Sequence, residues 1–301
     1  MMRSLFGLFF LLTGALHCQS PVRQPVFDGD KAFVQLQKQC DFGPRAPGTA
    51  GWRNCRGYLI RTLQTYADQT LQHSFALEFG RPRRTVEATN IIARFQPQKE
   101  QRLLLCAHWD TRPWADMDPL PQNRQTPILG ANDGASGVAV LLELARLLHA
   151  HKPALGVDLV LFDGEDSGES HSPESYARGS AAFARDWGSR LHPRFAILLD
   201  MIGDKDLQIF YEAHSLQYAP QIVHKVWQQA RLLGIGEFIA QEGYAVYDDH
   251  VPLLAAGIPC IDIIDFDYPY WHTLQDIPAN CSKSSLEKVG RVITAVIYGE
   301  K

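Results

Sequence analysis

The sequence predicts an α/β fold, one globular domain built on a central twisted sheet, mixed but mostly parallel, with helices on its faces. Three observations carry this. Apolar runs of strand length stop at His108, at Asp163 and at Asp200. Helix-patterned segments alternate with those runs. No internal repeat or low-complexity linker divides the 301 residues, of which 46% are apolar, enough to bury a sizeable core. The formal charge of −4, with no long Lys/Arg block, excludes a nucleic-acid footprint.

Residues 1–18, MMRSLFGLFFLLTGALHC, place Arg3 before the apolar stretch Leu5–Leu12 and are followed at once by a polar segment. The stretch is short for a membrane span and reads as an export signal, so the mature chain is expected outside the cytoplasm, periplasmic or secreted. Cys18 stands where a lipoprotein signal would carry its lipid, although His17 is bulkier than the small residue expected before it; anchoring through Cys18 is left open. The catalytic domain is expected over 25–301.

CDFGPRAPGTAGW, residues 40–52, is a loop pinned by Gly43, Pro44, Pro47 and Gly48, expected to act structurally as a wall of a cleft. Cys40 and Cys55 flank it and could bond to each other in an oxidising compartment. Residues 53–68 have helical spacing. HSFALEFG and TNIIARFQPQ are strands, and the next strand, LLLCAHWD, is apolar until it presents His108 and Asp110. That end of a parallel sheet is where α/β enzymes usually place their chemistry.

After Asn132, Asp133 and Gly134, the run GASGVAVLLELARLLHAHKP opens with small residues and continues as an apolar helix body. VDLVLFDGEDSGE is a buried strand that leads into Asp163, Glu165 and Asp166, and FAILLDMIGD is another that ends at Asp200. Asp248, Asp249 and His250 precede a strand through Cys260–Ile264, then Trp271 and His272; residues 285–299 form a closing amphipathic helix. Cys106 and Cys260 sit in strand-like runs and are expected to be small buried hydrophobes.

Carboxylates gathered in one cleft repel and hold protons unless a cation compensates. His108, Asp133, Asp166, Asp200 and His272 form a mixed nitrogen and oxygen set suited to zinc. Each also has a structural reading: His108 as a satisfied core histidine, Asp133 and Asp200 as helix caps, Glu165 and Asp166 as a solvated acidic turn, His272 as a surface residue. The tandem Glu165–Asp166 is the least ordinary, because one acid can hold a metal while its neighbour carries protons.

CAHWDTRPWAD, ILGANDGASGVAVLLELA, LFDGEDSGE, FAILLDMIG, YDDHVPLL and DYPYWHT together resemble the M28 zinc peptidase superfamily, and within it the animal-type glutaminyl cyclases and their bacterial relatives. Six blocks in order cover nearly the whole mature chain. The resemblance implies the zinc-aminopeptidase-like fold, with Asp133, Asp166 and His272 as zinc ligands and Glu165 as general acid/base. It implies that Asp200 hydrogen-bonds the substrate's amino end or the proton path and that Asp248 completes a buried acid network. Trp271 would wall the substrate pocket, with Trp109, Tyr244 and Tyr268 as further wall candidates.

His108, with Asp200, matches the second-metal position of the two-zinc aminopeptidases. Asp110 would stand behind it as a supporting carboxylate, and His250 is assigned a similar supporting place. ESHSPES around His171 lacks the pocket tryptophan of the animal enzymes, and Asp262 stands where those have a histidine. The implied activity converts N-terminal glutamine of peptides or proteins to pyroglutamate, with one zinc per chain, in a monomer. The alternative is an aminopeptidase with two.

Overall fold

The computed structural model describes residues 24–301 apart from positions 81 and 189; the expected leader and Cys18 lie outside the described residues. Helices α1 (Gly29–Cys40) and α2 (Ala50–Tyr66) come first, capped by Asp28 and Thr49, whose side chains accept from Lys31 N and Trp52 N. The α1 segment carries its buried Ala32, Leu36 and Cys40 at four-residue spacing, so its inner face follows the helical period.

Strands β1 (Gln69–Phe79), β2 (Arg84–Phe95) and β3 (Arg102–His108) follow, then α3 (Ala135–Ala150), β4 (Gly156–Phe162), α4 (Arg178–Trp187) and β5 (Ala196–Asp200). The last third holds β6 (Ile209–Tyr211), α5 (Ala213–Tyr218), α6 (Pro220–Leu232), β7 (Phe238–Glu242), α7 (His250–Ala255), β8 (Cys260–Ile264) and α8 (Lys283–Gly299). The main sheet has the order β1-β2-β4-β3-β5-β8, and β6 and β7 pair separately. β1, β2 and β4 pair antiparallel, while β4, β3, β5 and β8 run parallel, as the mixed, mostly parallel expectation requires.

Alternation along the parallel strands divides the core. Leu103, Leu105, Ile197, Leu199, Ile261 and Ile263 face a large layer with α1, α2, α3, α6 and α8; Leu104, Cys106, Leu198 and Cys260 face a smaller one with α4 and α7. β3 and β4 are buried at every residue, because both faces are covered. α3 lies close against β5: a Cβ on Gly137 would stand 2.1 Å from Leu199 O, so only glycine fits there.

All five described cysteines are free and buried. The Cys40–Cys55 bond allowed by spacing is therefore not formed. Both thiols lie on the packed faces of α1 and α2, where burial, opposed by Arg45, pushes each up to about 12. Cys106 and Cys260 are fully buried in the strands, as expected. Among the described residues no helix is long and apolar enough to cross a membrane.

Candidate metal centre and its cavity

Because β3, β4, β5 and β8 are parallel, their carboxyl ends share one edge, and that edge collects the site. His108 closes β3, Glu165 and Asp166 lie on the turn after β4, and Asp200 closes β5. Asp133 precedes α3, Asp248 precedes α7, and His272 lies in the loop after β8. Seven side chains distant in sequence thus meet through topology alone. Asp133 does not cap α3: the N-cap is Gly134, without a side-chain bond, so the carboxylate is free for other work.

Two overlapping groups result, His108–Asp133–Asp200 and Asp133–Asp166–His272, each buried and each with ligand atoms within 4.8 Å of one another. Asp133 is shared through different oxygens. Its Oδ1 is 3.1 Å from His108 Nε2 and its Oδ2 is 3.6 Å from His272 Nε2. His108 Nε2 is also 3.1 Å from Asp200 Oδ1, and His272 Nε2 is 3.1 Å from Asp166 Oδ1. Imidazole nitrogen with carboxylate oxygen is a zinc donor set, and Asp166 Oδ2 is buried without a hydrogen-bond partner, so the residues present fit such an ion.

Electrostatics point the same way. Burial, with Asp133 beside it, pushes Asp166 up to about 6, and burial with Asp200 beside it pushes Asp248 up to about 7. Glu165 is held well above the ordinary carboxylate range by burial and then by Asp248. Burial opposes the charged form of His272, but Asp166 and Asp116 raise it to about 9. An edge with this many acids stabilises positive charge, whether as protons or as a metal.

The backbone behind the ligands is held by buried charge. Asp276 accepts from Asn132 N and Asp133 N with separate oxygens, 2.8 and 3.1 Å, and from Tyr268 OH at 3.0 Å. Asp110 accepts from Glu165 N and Asp166 N at 3.1 and 3.3 Å. Its carboxylate is 3.7 Å from His108 Nδ1, which has no hydrogen-bond partner. Asp110 therefore holds the Glu165–Asp166 turn and also stands behind the His108 imidazole at ion-pair distance, longer than a hydrogen bond.

The 40–52 loop does not wall the cavity. It supplies the fully buried Arg45, whose guanidinium donates to Trp109 O, Leu129 O and Gly130 O and so braces the segments on either side of the ligands. His250 is buried 3.1 Å from Glu212 Oε2 and groups with Asp248 and Asp262, so it supports the acid cluster rather than either triad. Burial raises Glu212, but the His250 contact and the Ser215 and Val246 hydrogen bonds overcome it and lower the carboxyl to about 2.

A cavity of about 260 Å³ opens over the triads, with Asp133, Glu165, Asp166, Asp200, Asp248 and His272 on its floor. Trp271 lines it, stacked on the His272 ring with centroids 4.0 Å apart. The other three wall candidates fall elsewhere. Trp109 follows His108 along the chain and points the opposite way, into the core, stacked on Trp52 with Nε1 donating to Thr89 O. Tyr268 is tied beneath Asp133 through Asp276, and Tyr244 bonds Asp267 at the surface, 53% exposed. The walls are instead Met117, Tyr176, Val246, Tyr247 and Phe266, with Asp116 at the edge. Tyr247 and Phe266 lie within segments already singled out by their acids and aromatics; Tyr176 follows the ESHSPES stretch and had no signal of its own.

Residues 90–297 match the family model for peptidase family M28. Among solved structures, the chain is similar to the glutaminyl cyclase of Bacteroides thetaiotaomicron bound to N-acetylhistamine, at 40% identity and a TM-score of 0.88, covering 92% of this chain and 99% of that one. It is equally similar to a leucine aminopeptidase precursor from the same organism, at 40% identity and a TM-score of 0.89 with the same coverage. A glutaminyl-peptide cyclotransferase of Boiga irregularis is 26% identical over 288 residues, 84% of this chain and 76% of that protein.

Proposed function

We propose a reaction for a chain that belongs to peptidase family M28: it is a zinc-dependent glutaminyl-peptide cyclotransferase, closing the N-terminal glutamine of peptides and proteins to pyroglutamate with loss of ammonia. The observation that carries the reading is Glu165. Its carboxyl is raised by burial and by Asp248, it lines the cavity, and it adjoins a histidine-carboxylate triad, within an overall likeness to several glutaminyl cyclases.

The substrate's α-amine and γ-amide belong to one residue, so ring closure needs orientation more than encounter. Asp133, Asp166 and His272 would hold one zinc, which when bound would supply Lewis-acid polarisation of the γ-carbonyl. Glu165 takes a proton from the attacking amine and returns it to the departing amide nitrogen, so amine and ammonia balance and the carboxylate is regenerated. A carboxyl whose proton affinity burial has raised is matched to both transfers. Asp200 and Asp248 flank it, Asp200 receiving the amino end. The Trp271 plane would bound the glutamine side chain along one wall of the cavity. An export signal at 1–18, as the sequence suggests, would carry this activity to peptides outside the cytoplasm.

The runner-up is hydrolysis of the first peptide bond by a two-zinc aminopeptidase, favoured by the complete His108–Asp133–Asp200 triad and by the likeness to the leucine aminopeptidase precursor. A mass-resolved product assay on zinc-loaded protein separates them. A Gln-Phe peptide losing one ammonia while a Leu-initiated control stays intact is the expected result. Release of free leucine or glutamine would overturn it. Glu165→Gln is expected to keep its zinc and lose about 10²- to 10⁴-fold in turnover.

A further inference from the structure

Asp116 touches three segments of the site at once. Its Oδ1 is 3.2 Å from His272 Nδ1, the nitrogen turned away from the triad. Oδ2 accepts from Ser170 Oγ at 3.0 Å. Arg112 grips both oxygens in a two-armed contact, Nε to Oδ1 at 3.0 Å and Nη2 to Oδ2 at 2.6 Å. Its remaining nitrogen, Nη1, donates to Asp166 O at 3.0 Å and Gly168 O at 2.8 Å. The guanidinium is itself fixed, fully buried and centred 4.9 Å from the Trp114 ring and 5.2 Å from the Tyr176 ring. Met117 N then donates to His272 O, so the segment carrying Asp116 also holds the backbone of the histidine.

We propose that Asp116, locked by Arg112, is the positioning residue that makes Asp133–Asp166–His272 the metal triad that fills first. The inference rests on the metal reading above. An imidazole that donates Nδ1–H to a fixed carboxylate presents its Nε2 lone pair to the triad in one tautomer and one orientation, and the carboxylate increases its basicity. A two-armed arginine contact makes that carboxylate rigid where a lysine contact would not. The same arginine holds the main chain of Asp166, so one residue pair sets the placement of two of the three ligands.

His108 is backed less closely. Its Nδ1 is 3.7 Å from Asp110 Oδ1, beyond hydrogen-bond length, and Asp110 also accepts from the Glu165 and Asp166 amides. The donor sets are alike in kind, but the His272 imidazole is the one held at hydrogen-bond distance by an arginine-locked acid.

The test uses the full mature protein with zinc alone and, separately, cobalt(II) alone as probes, in wild type, Asp116→Asn, Asp116→Glu and, as a control buried acid away from both triads, Asp265→Asn. Chelator competition should show zinc held about 10- to 100-fold more weakly in Asp116→Asn, with partial recovery in Asp116→Glu and no change in the control. The cobalt absorption bands should shift in Asp116→Asn and not in the control, a signature that a merely structural role would leave alone. Unchanged zinc affinity and cobalt bands in folded Asp116→Asn would overturn the proposal. If that variant does not fold, Asp116→Glu decides: wild-type affinity and bands from a carboxylate displaced by one methylene would overturn it equally. None of these readouts depends on the product formed, so an aminopeptidase outcome in the mass assay would reject the cyclase reading and leave this one standing.

Discussion

The two triads share Asp133 and the same donor types, but the structure supports them unequally. Around His272 the outer nitrogen meets Asp116, and Arg112 ties that acid to the main chain of Asp166. Around His108 the outer nitrogen is 3.7 Å from Asp110, longer than a hydrogen bond, and that acid also accepts from the Glu165 and Asp166 amides. Ligand identity is thus a poor guide to metal number, because affinity depends on how firmly each ligand is aimed. A chain can keep all five donors of a two-metal site and still be built for one.

The largest expected effect separates the halves directly. His272→Gln should lose the tightly held zinc and about a thousandfold in kcat/KM, since a Lewis acid contributes several kcal/mol and each 1.4 kcal/mol is about tenfold. His108→Gln should lose less than about tenfold and keep that zinc. Steady-state kinetics with metal analysis checks both, and equal losses would break the comparison by making the two half-sites equivalent.

A middle-sized effect should ignore the asymmetry, because Asp276 acts on the shared ligand. Both its oxygens are engaged by the amides of Asn132 and Asp133, and Tyr268 donates to one of them. Asp276→Asn replaces one acceptor oxygen with a donor facing an amide, so a buried N–H goes unpaired at a cost of about 1–3 kcal/mol. Urea unfolding should show that loss, and chelator competition should show weaker metal at the shared carboxylate, whichever half is loaded. A variant of wild-type stability would mean that Asp276 does not hold Asp133.

The fold was legible because a parallel sheet covered on both faces writes its strands as continuous apolar runs, and the polar residues that end LLLCAH and FAILL mark the edge where they emerge. The ligands were legible as residues at those ends and in the matching blocks. The support was not. Nothing in the spacing of Asp116 and His272 shows that one faces the other, and Tyr268, Asp276 and Arg45 act through contacts across 8, 143 or 64 residues and more. The wall was misplaced for two separable reasons. Trp109, the residue directly after β3, packs into the core on Trp52, while His108 faces the site. Tyr244 and Tyr247 lie on an irregular segment without a period, so the sequence offers no rule for which of them turns inward. The Cys40–Cys55 pair shows the converse, where loop spacing suggested a bond that helix packing does not make.

The smallest expected effect sharpens the comparison by supplying its background. Asp265 follows β8 outside both triads; its Oδ2 accepts from Gln208 N at 2.9 Å and its Oδ1 is buried without a partner. Burial, with Asp204 and Asp267 adding to it against the Gln208 hydrogen bond, raises its carboxyl from 3.8 to about 7. The native state therefore binds a proton at this site that the unfolded state has released between pH 4 and 7. Stability must fall as pH rises through that window and level off above it. Asp265→Asn keeps an acceptor for Gln208 and removes the ionisation, so it should be near neutral at pH 4 and stabilising at pH 8 by on the order of 1 kcal/mol, about 2–4 °C in Tm. Thermal melts of metal-free wild type and variant across that range check the sign. A gap that widens toward acid would reverse it, and with this slope subtracted, any remaining pH dependence of the metal-loaded protein belongs to the triads and the acids beside them.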